Sequence, residues 1–187
     1  MNTEEPSFVC TEGAAPEAQA VCQKGYRMLL NRSLAIFTFC AAIITPLLGL
    51  SEERFQGRAV AVLDGDTIDV VTDEREKIRV RLAGIDAPEK SQAYGQRSKQ
   101  NLAAMVGGKT VEIVDRGNDQ YGRTVGSISV NGIDVNAEQV KSGFAWVYSR
   151  YNRDNELPSL ETQARRDQLG LWRDKNPIAP WLYRRAE

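Results

Sequence analysis

The sequence predicts a small α+β domain, mainly β, built on a closed or nearly closed antiparallel barrel of five short strands with helices inserted. Three observations predict it. Apolar and charged residues alternate in short runs, Asp, Gly and Asn cluster between those runs, and longer stretches of helical periodicity end on glycine. The first two strands are expected over 59–63 and 67–71, with Asp64-Gly65-Asp66 as the turn between them. A third strand follows over 77–82, after the charged segment 73–76. Here Ile78, Val80 and Leu82 share one face, while Arg79 and Arg81 share the other. A helix is expected over 95–106 with Leu102, Met105 and Val106 inward, stopped by Gly107-Gly108. Strands resume over 110–114 and 124–130, and Asn131-Gly132 makes a tight turn. Two further helices are expected over 135–142 and 157–168, ended by Gly143 and Gly170. Trp172 and the Pro/Trp-rich tail cap the barrel.

This domain occupies residues 55–175, and 176–187 form the tail. The remainder of the 187-residue chain is different in kind. Residues 1–33 read as a polar leader, and 34–50 as an apolar signal-peptide or transmembrane helix with Arg27 and Arg32 before it and Ser51-Glu52-Glu53 after it. Met28 begins a conventional charged segment ahead of that run, so a true start at Met28 is a second reading of the leader. The expectation is export, to the periplasm or the medium, with a membrane anchor through 34–50 as the alternative. All 3 cysteines, Cys10, Cys22 and Cys40, fall in this part, so the domain itself is indifferent to redox compartment.

The chain has no histidine, which excludes Ser-His-Asp triads, histidine-ligated zinc and imidazole acid–base chemistry. Its net charge of -1 argues against a surface that coats nucleic acid generally. A few arginines in a cleft remain compatible with it. Asp66 and Asp86 each sit in a turn beside a strand, and on neighbouring strands they would converge on one hard cation. Each aspartate, taken alone, is also ordinary turn chemistry. Glu89 follows Pro88, whose restrained loop can aim a carboxylate at a water, although a surface glutamate fits as well. Arg81 and Arg123 could hold phosphate oxygens through their planar forks, or make structural salt bridges. Arg79 is assigned to the salt-bridge role.

Asp64-Gly65-Asp66-Thr67, the segment from Arg81 to Glu89 and Asp119-Gln120-Tyr121-Gly122-Arg123 closely resemble, in order and spacing, the motifs of the staphylococcal nuclease (thermonuclease) family. The resemblance spans about residues 57–172. It implies an OB-fold barrel with about three helices and a calcium-dependent nuclease that acts on DNA and RNA and leaves 3′-phosphates. Carried over by position, it makes Asp66 and Asp86 the calcium carboxylates, with Ala87 adding its backbone carbonyl. Glu89 matches the general base, Arg81 and Arg123 the phosphate-binding arginines, and Tyr121 a tyrosine beside the nucleotide. Tyr148 is a looser match to the second aromatic. The chain departs from the prototype at Ala87, where threonine is usual, and at Gln120, where lysine is usual. The loop after Glu89 is also shorter, with Lys90 in place of several lysines. The ending resembles that of exported bacterial members. DNA or RNA is thus the expected partner, with no obligate protein partner and membrane contact only through 34–50. The rival is a catalytically silent OB-fold module that binds nucleic acid.

Overall fold

In the computed structural model of the protein, residues 52–186 are described. The expected leader and apolar segment lie outside them. Among the described residues, no helix is long and apolar enough to cross a membrane.

Strand β1 (Arg54–Val62) is longer than the sequence pattern announced because it serves two neighbours. Residues 54–58 pair antiparallel with β5 (Thr110–Asn118), and residues 58–62 pair with β2 (Thr67–Val71). A register shift between Ala59 and Ala61 bends the strand near this change of partner. From β2 the sheet continues antiparallel into β3 (Lys77–Leu82), and from β5 into β6 (Thr124–Val130). Strands β3 and β6 then pair in parallel and close a five-stranded barrel in the order β3-β2-β1-β5-β6. All five expected strands are present, but the barrel is not wholly antiparallel. An odd number of strands cannot alternate direction around a closed ring, so one seam must be parallel.

Three two-residue strands escaped the sequence pattern, being too short to show a period. These are β4 (Ile85–Asp86), β7 (Ile133–Asp134) and β8 (Trp146–Val147). β7 adds to β6 through the Asn131-Gly132 turn, and β4 pairs with β8 as a separate ribbon.

The three expected helices are α1 (Gly95–Val106), α2 (Val135–Lys141) and α3 (Leu157–Arg166). The last two stop short of their expected ends. Gln168 at φ 51° is already left-handed, so the chain leaves α3 before Gly170 and enters a 3-10 turn over Gly170–Arg173. A fourth helix, α4 (Pro180–Ala186), forms where a tail was expected, with Pro180 in the first turn, where its missing N–H costs nothing.

The core lies between the barrel and the helices. Ile68, Val80, Leu82, Ile113 and Ile128 from the strands are fully buried with Leu102 and Val106 of α1. Each such side chain contributes about 1.5–3 kcal/mol by leaving water. One buried polar group ties the helices to the turn before β2. Gln139 of α2 accepts from Asn101 Nδ2 of α1 at 2.6 Å and donates to the Gly65 carbonyl at 2.7 Å and the Ser98 carbonyl at 3.0 Å. Gly65 is required there. A β-carbon at this position would collide with Ser98 Oγ and approach Ala87 Cβ to 2.7 Å. Replacing Gln139 with leucine leaves buried carbonyls without donors, and should cost about 3 kcal/mol, read as a lower urea midpoint at unchanged slope.

Candidate active site

Strand register sets the site. Arg81 of β3 lies opposite Thr67 of β2 on one side and Val125 of β6 on the other. Asp66 immediately precedes Thr67, and Arg123 lies two residues before Val125, so three separate segments reach one rim of the barrel. After β3 the chain turns back through Ala83-Gly84 into β4, which carries Asp86. The Leu82 N–H donates to the Asp66 carbonyl at 2.8 Å, and the Ala87 N–H donates to Asp66 Oδ2 at 2.6 Å. These bonds fix the distance between the two acidic turns.

Arg81 bridges the two aspartates. Its Nη1 lies 2.8 Å from Asp66 Oδ2, and its Nη2 lies 2.9 Å from Asp86 Oδ1. Both carboxylates are buried, with Asp66 5% and Asp86 1% exposed. Burial outweighs the attraction of Arg81 and pushes the Asp66 carboxyl up from its ordinary 3.8 to about 7. Glu89 stands in the next loop. Its N–H donates to Gln92 Oε1 at 3.1 Å, and its carbonyl accepts from the Gln92 N–H at 2.9 Å. Gly95 permits that loop to lie against α1, since a β-carbon there would strike the Glu89 carbonyl.

Another wall comes from the loop between β5 and β6. Asp119 Oδ1 accepts from the N–H groups of Tyr121 at 2.9 Å and Arg123 at 3.0 Å, while its Oδ2 accepts from Arg123 Nε at 2.7 Å. Burial opposes the charge of Asp119, but these bonds hold its carboxyl below the ordinary range. The Arg123 guanidinium lies 5.3 Å from the centre of the Tyr121 ring, which is 74% exposed. Tyr148 stacks on Trp181 of α4 with ring centres 5.3 Å apart and planes 3° apart.

All eight residues singled out in the sequence line one open cleft of about 1160 Å³. Arg79 and Lys77 also line it, but both pair with Asp69, at 2.8 Å each, as assigned for Arg79. The hydrogen bond from Arg79 lowers the Asp69 carboxyl. The family model described as staphylococcal nuclease homologue matches residues 79–174, which hold most of this cleft. The chain belongs to the staphylococcal nuclease family.

Its relatives agree over greater lengths. A micrococcal nuclease of Shigella flexneri is 43% identical over 143 residues, covering 71% of this chain and 82% of the relative. Uncharacterized endonucleases of Haemophilus influenzae and Escherichia coli O157:H7 are 40% identical over 159 residues and 47% identical over 129. They cover 85% and 68% of this chain, and 89% and 84% of the relatives. Membership makes the protein a thermonuclease-like nuclease, a hydrolase of phosphodiester bonds. The family match begins after Asp66, whose place in the cleft follows from the register of β2 on β3.

The cleft also holds a residue that sequence reasoning missed. Arg184 of α4 places Nη2 2.8 Å from Asp86 Oδ2 and Nη1 2.6 Å from Glu89 Oε1. Nothing in the spacing of the tail separates Arg184 from the adjacent Arg185.

The donor set suits a hard dication. Asp66, Asp86 and the backbone at Ala87 offer only oxygen. Among the described residues, no group of three His, Cys, Asp or Glu side chains is arranged to hold a metal, so carbonyl and water oxygens would have to complete the shell. Arg81 is also a structural group. Arg81→Ala leaves the buried Asp66 without its cation and Asp86 with Arg184 alone, and should cost about 3–5 kcal/mol. Folded Asp66 keeps its proton up to about pH 7 while the unfolded carboxyl releases it near 3.8. The folded chain therefore binds more protons between these values, and stability falls as pH rises through that window. Asp66→Asn should melt at a higher temperature than wild type at pH 8 without metal, with the gap narrowing toward pH 4.

Proposed function

We propose that the chain is a calcium-dependent nuclease that cleaves DNA and RNA and leaves 3′-phosphates. The observation that carries this reading is the convergence, in one cleft, of two buried aspartates bridged by Arg81 with Glu89 and the Arg123–Tyr121 wall. Asp66, Asp86 and the Ala87 carbonyl would hold the cation. When bound, calcium supplies positive charge to the phosphate oxygens and makes a nearby water more acidic.

The remaining steps belong to the chain. Glu89 orients the attacking water and takes its proton as the water oxygen bonds to phosphorus. The P–O5′ bond breaks and the leaving O5′ takes a proton from solvent, giving a 3′-phosphate and a 5′-hydroxyl. Arg81 and Arg123 stabilise the extra negative charge of the five-coordinate transition state. Their forks are already held by Asp66, Asp86 and Asp119, so little reorganisation remains. Tyr121 offers an exposed ring on which a base can stack, worth about 1–3 kcal/mol. Tyr148 adds a second aromatic wall. The apolar segment 34–50 supports action outside the cytoplasm, after cleavage or from a membrane anchor.

Single-stranded DNA should be degraded with calcium and spared with chelator, and Glu89→Gln should lower the rate at least about a hundredfold. Cleavage that ignores chelator would remove the metal from the reaction. Retained DNA binding without cleavage would return the chain to the silent binding module. Arg81→Lys, which keeps a charge between the buried aspartates, should fold and lose about a hundredfold or more in turnover. Export is read by joining residues 1–54 to a reporter that works only outside the cytoplasm, with signal expected from intact cells.

A further inference from the structure

Helix α4 and the segment leading into it are tied to the Glu89 loop and to β8. The Trp181 ring stacks on Tyr148 and meets Trp146 edge-on at 5.6 Å. Gln92 Nε2 donates to the Ile178 carbonyl at 2.6 Å, and the Tyr183 hydroxyl lies 3.2 Å from Ser91 Oγ. Gln92 is the same side chain that accepts from the Glu89 N–H. The helix is therefore held by the loop that carries Glu89, and its orientation is fixed relative to that carboxylate.

From this helix, Arg184 spreads its fork over two carboxylates. Nη2 donates to Asp86 Oδ2 at 2.8 Å, while Nη1 donates to Glu89 Oε1 at 2.6 Å and approaches Asp86 Oδ1 at 3.3 Å. These two carboxylates repel each other, and Glu89 sits on a loop where its side chain has several rotamers to choose from. A planar guanidinium is suited to holding both at a set angle, which a single ammonium point charge cannot do. The bonds from Asp86 and Glu89 raise the Arg184 pKa further, so the group stays charged throughout the working range.

We propose that Arg184 is a positioning residue of the active site. It aims Glu89 at the attacking water by fixing that carboxylate to the buried Asp86, and α4 is thereby an integral wall of the catalytic cleft. The proposal rests on the assignment of Glu89 as the base. It gives the segment after the barrel a role that the strand pattern and the three motifs do not contain.

The test is steady-state cleavage of single-stranded DNA at saturating calcium by the full chain and its Arg184→Ala, Arg184→Lys, Arg185→Ala and Glu89→Gln variants. Calcium affinity by calorimetry and thermal midpoints are measured on the same samples. Arg184→Ala is expected to lower kcat about a hundredfold, with KM and calcium affinity changed less than about threefold. Arg184→Lys should recover about tenfold of that loss at the wild-type melting temperature, which guards against a folding defect in the alanine variant. Arg185→Ala should match wild type. In the Glu89→Gln background, Arg184→Ala should cost nothing more, since an arginine that acts only through Glu89 has nothing left to aim.

Full activity of Arg184→Ala, or losses that simply multiply in the double variant, would overturn the proposal. So would faster cleavage with about tenfold tighter calcium binding, the mark of a strap that blocks the site. A wild-type chain that does not cleave would overturn the nuclease mechanism and this inference together. An active wild type with an indifferent Arg184 overturns the inference alone.

Discussion

The whole site depends on Arg81 holding two buried aspartates that would otherwise repel each other. One guanidinium at 2.8 and 2.9 Å reaches both of these buried carboxyl groups and offsets their mutual repulsion. Arg81 can do this because its strand lies centrally, with β2 on one side and β6 on the other. The turn before β2 brings Asp66, and the reversal after β3 brings Asp86. Burial keeps the proton affinity of Asp66 high even with Arg81 beside it.

The supports around this triad are mostly hydrogen bonds from outside the barrel. Gln139 anchors the Asp66 turn from α2, and Asn136 of the same helix donates to the Ala83 carbonyl at 2.9 Å where the chain turns toward Asp86. Behind the Glu89 loop, an aromatic cluster does comparable work. Arg165 of α3 lies over Trp172 at 3.8 Å and over Trp146 at 4.7 Å, and Trp146 in turn meets Trp181. α4 is thus linked to Arg165 of α3 through the edge-on Trp146–Trp181 contact, and Arg184 inherits its position from that cluster.

Much of this was legible in the sequence. Strands such as Lys77–Leu82 and Thr124–Val130 alternate clearly because one face is core and the other solvent, and the ordered acidic and basic motifs pointed to one family. What stayed hidden was set by distance along the chain. The extension of β1 to Arg54 follows from its pairing with β5, which no local pattern announces. β4 and β8 are two residues each and exist only by pairing with one another. Arg184 meets Glu89 across a separation of 95 residues, and its seven-residue helix carries too few apolar positions to display a period. Tyr148 was only a looser match to the second aromatic, and its stacking on Trp181 depends on a partner 33 residues away.

The parallel seam between β3 and β6 has a consequence for when the protein becomes chemically competent. Arg81 and Arg123 belong to segments that no hairpin joins, and they reach one rim only after the ring of strands has shut. A chain in which β1, β2 and β3 have formed but β6 is still loose has Arg81 beside its acidic turns but no Arg123 on the same rim. Such non-local pairing forms late, because the loop entropy must be lost before the contacts compensate for it. Competence therefore waits on the closing of the ring, and a partly folded chain with its acidic turns in place still lacks the Arg123 wall of its cleft.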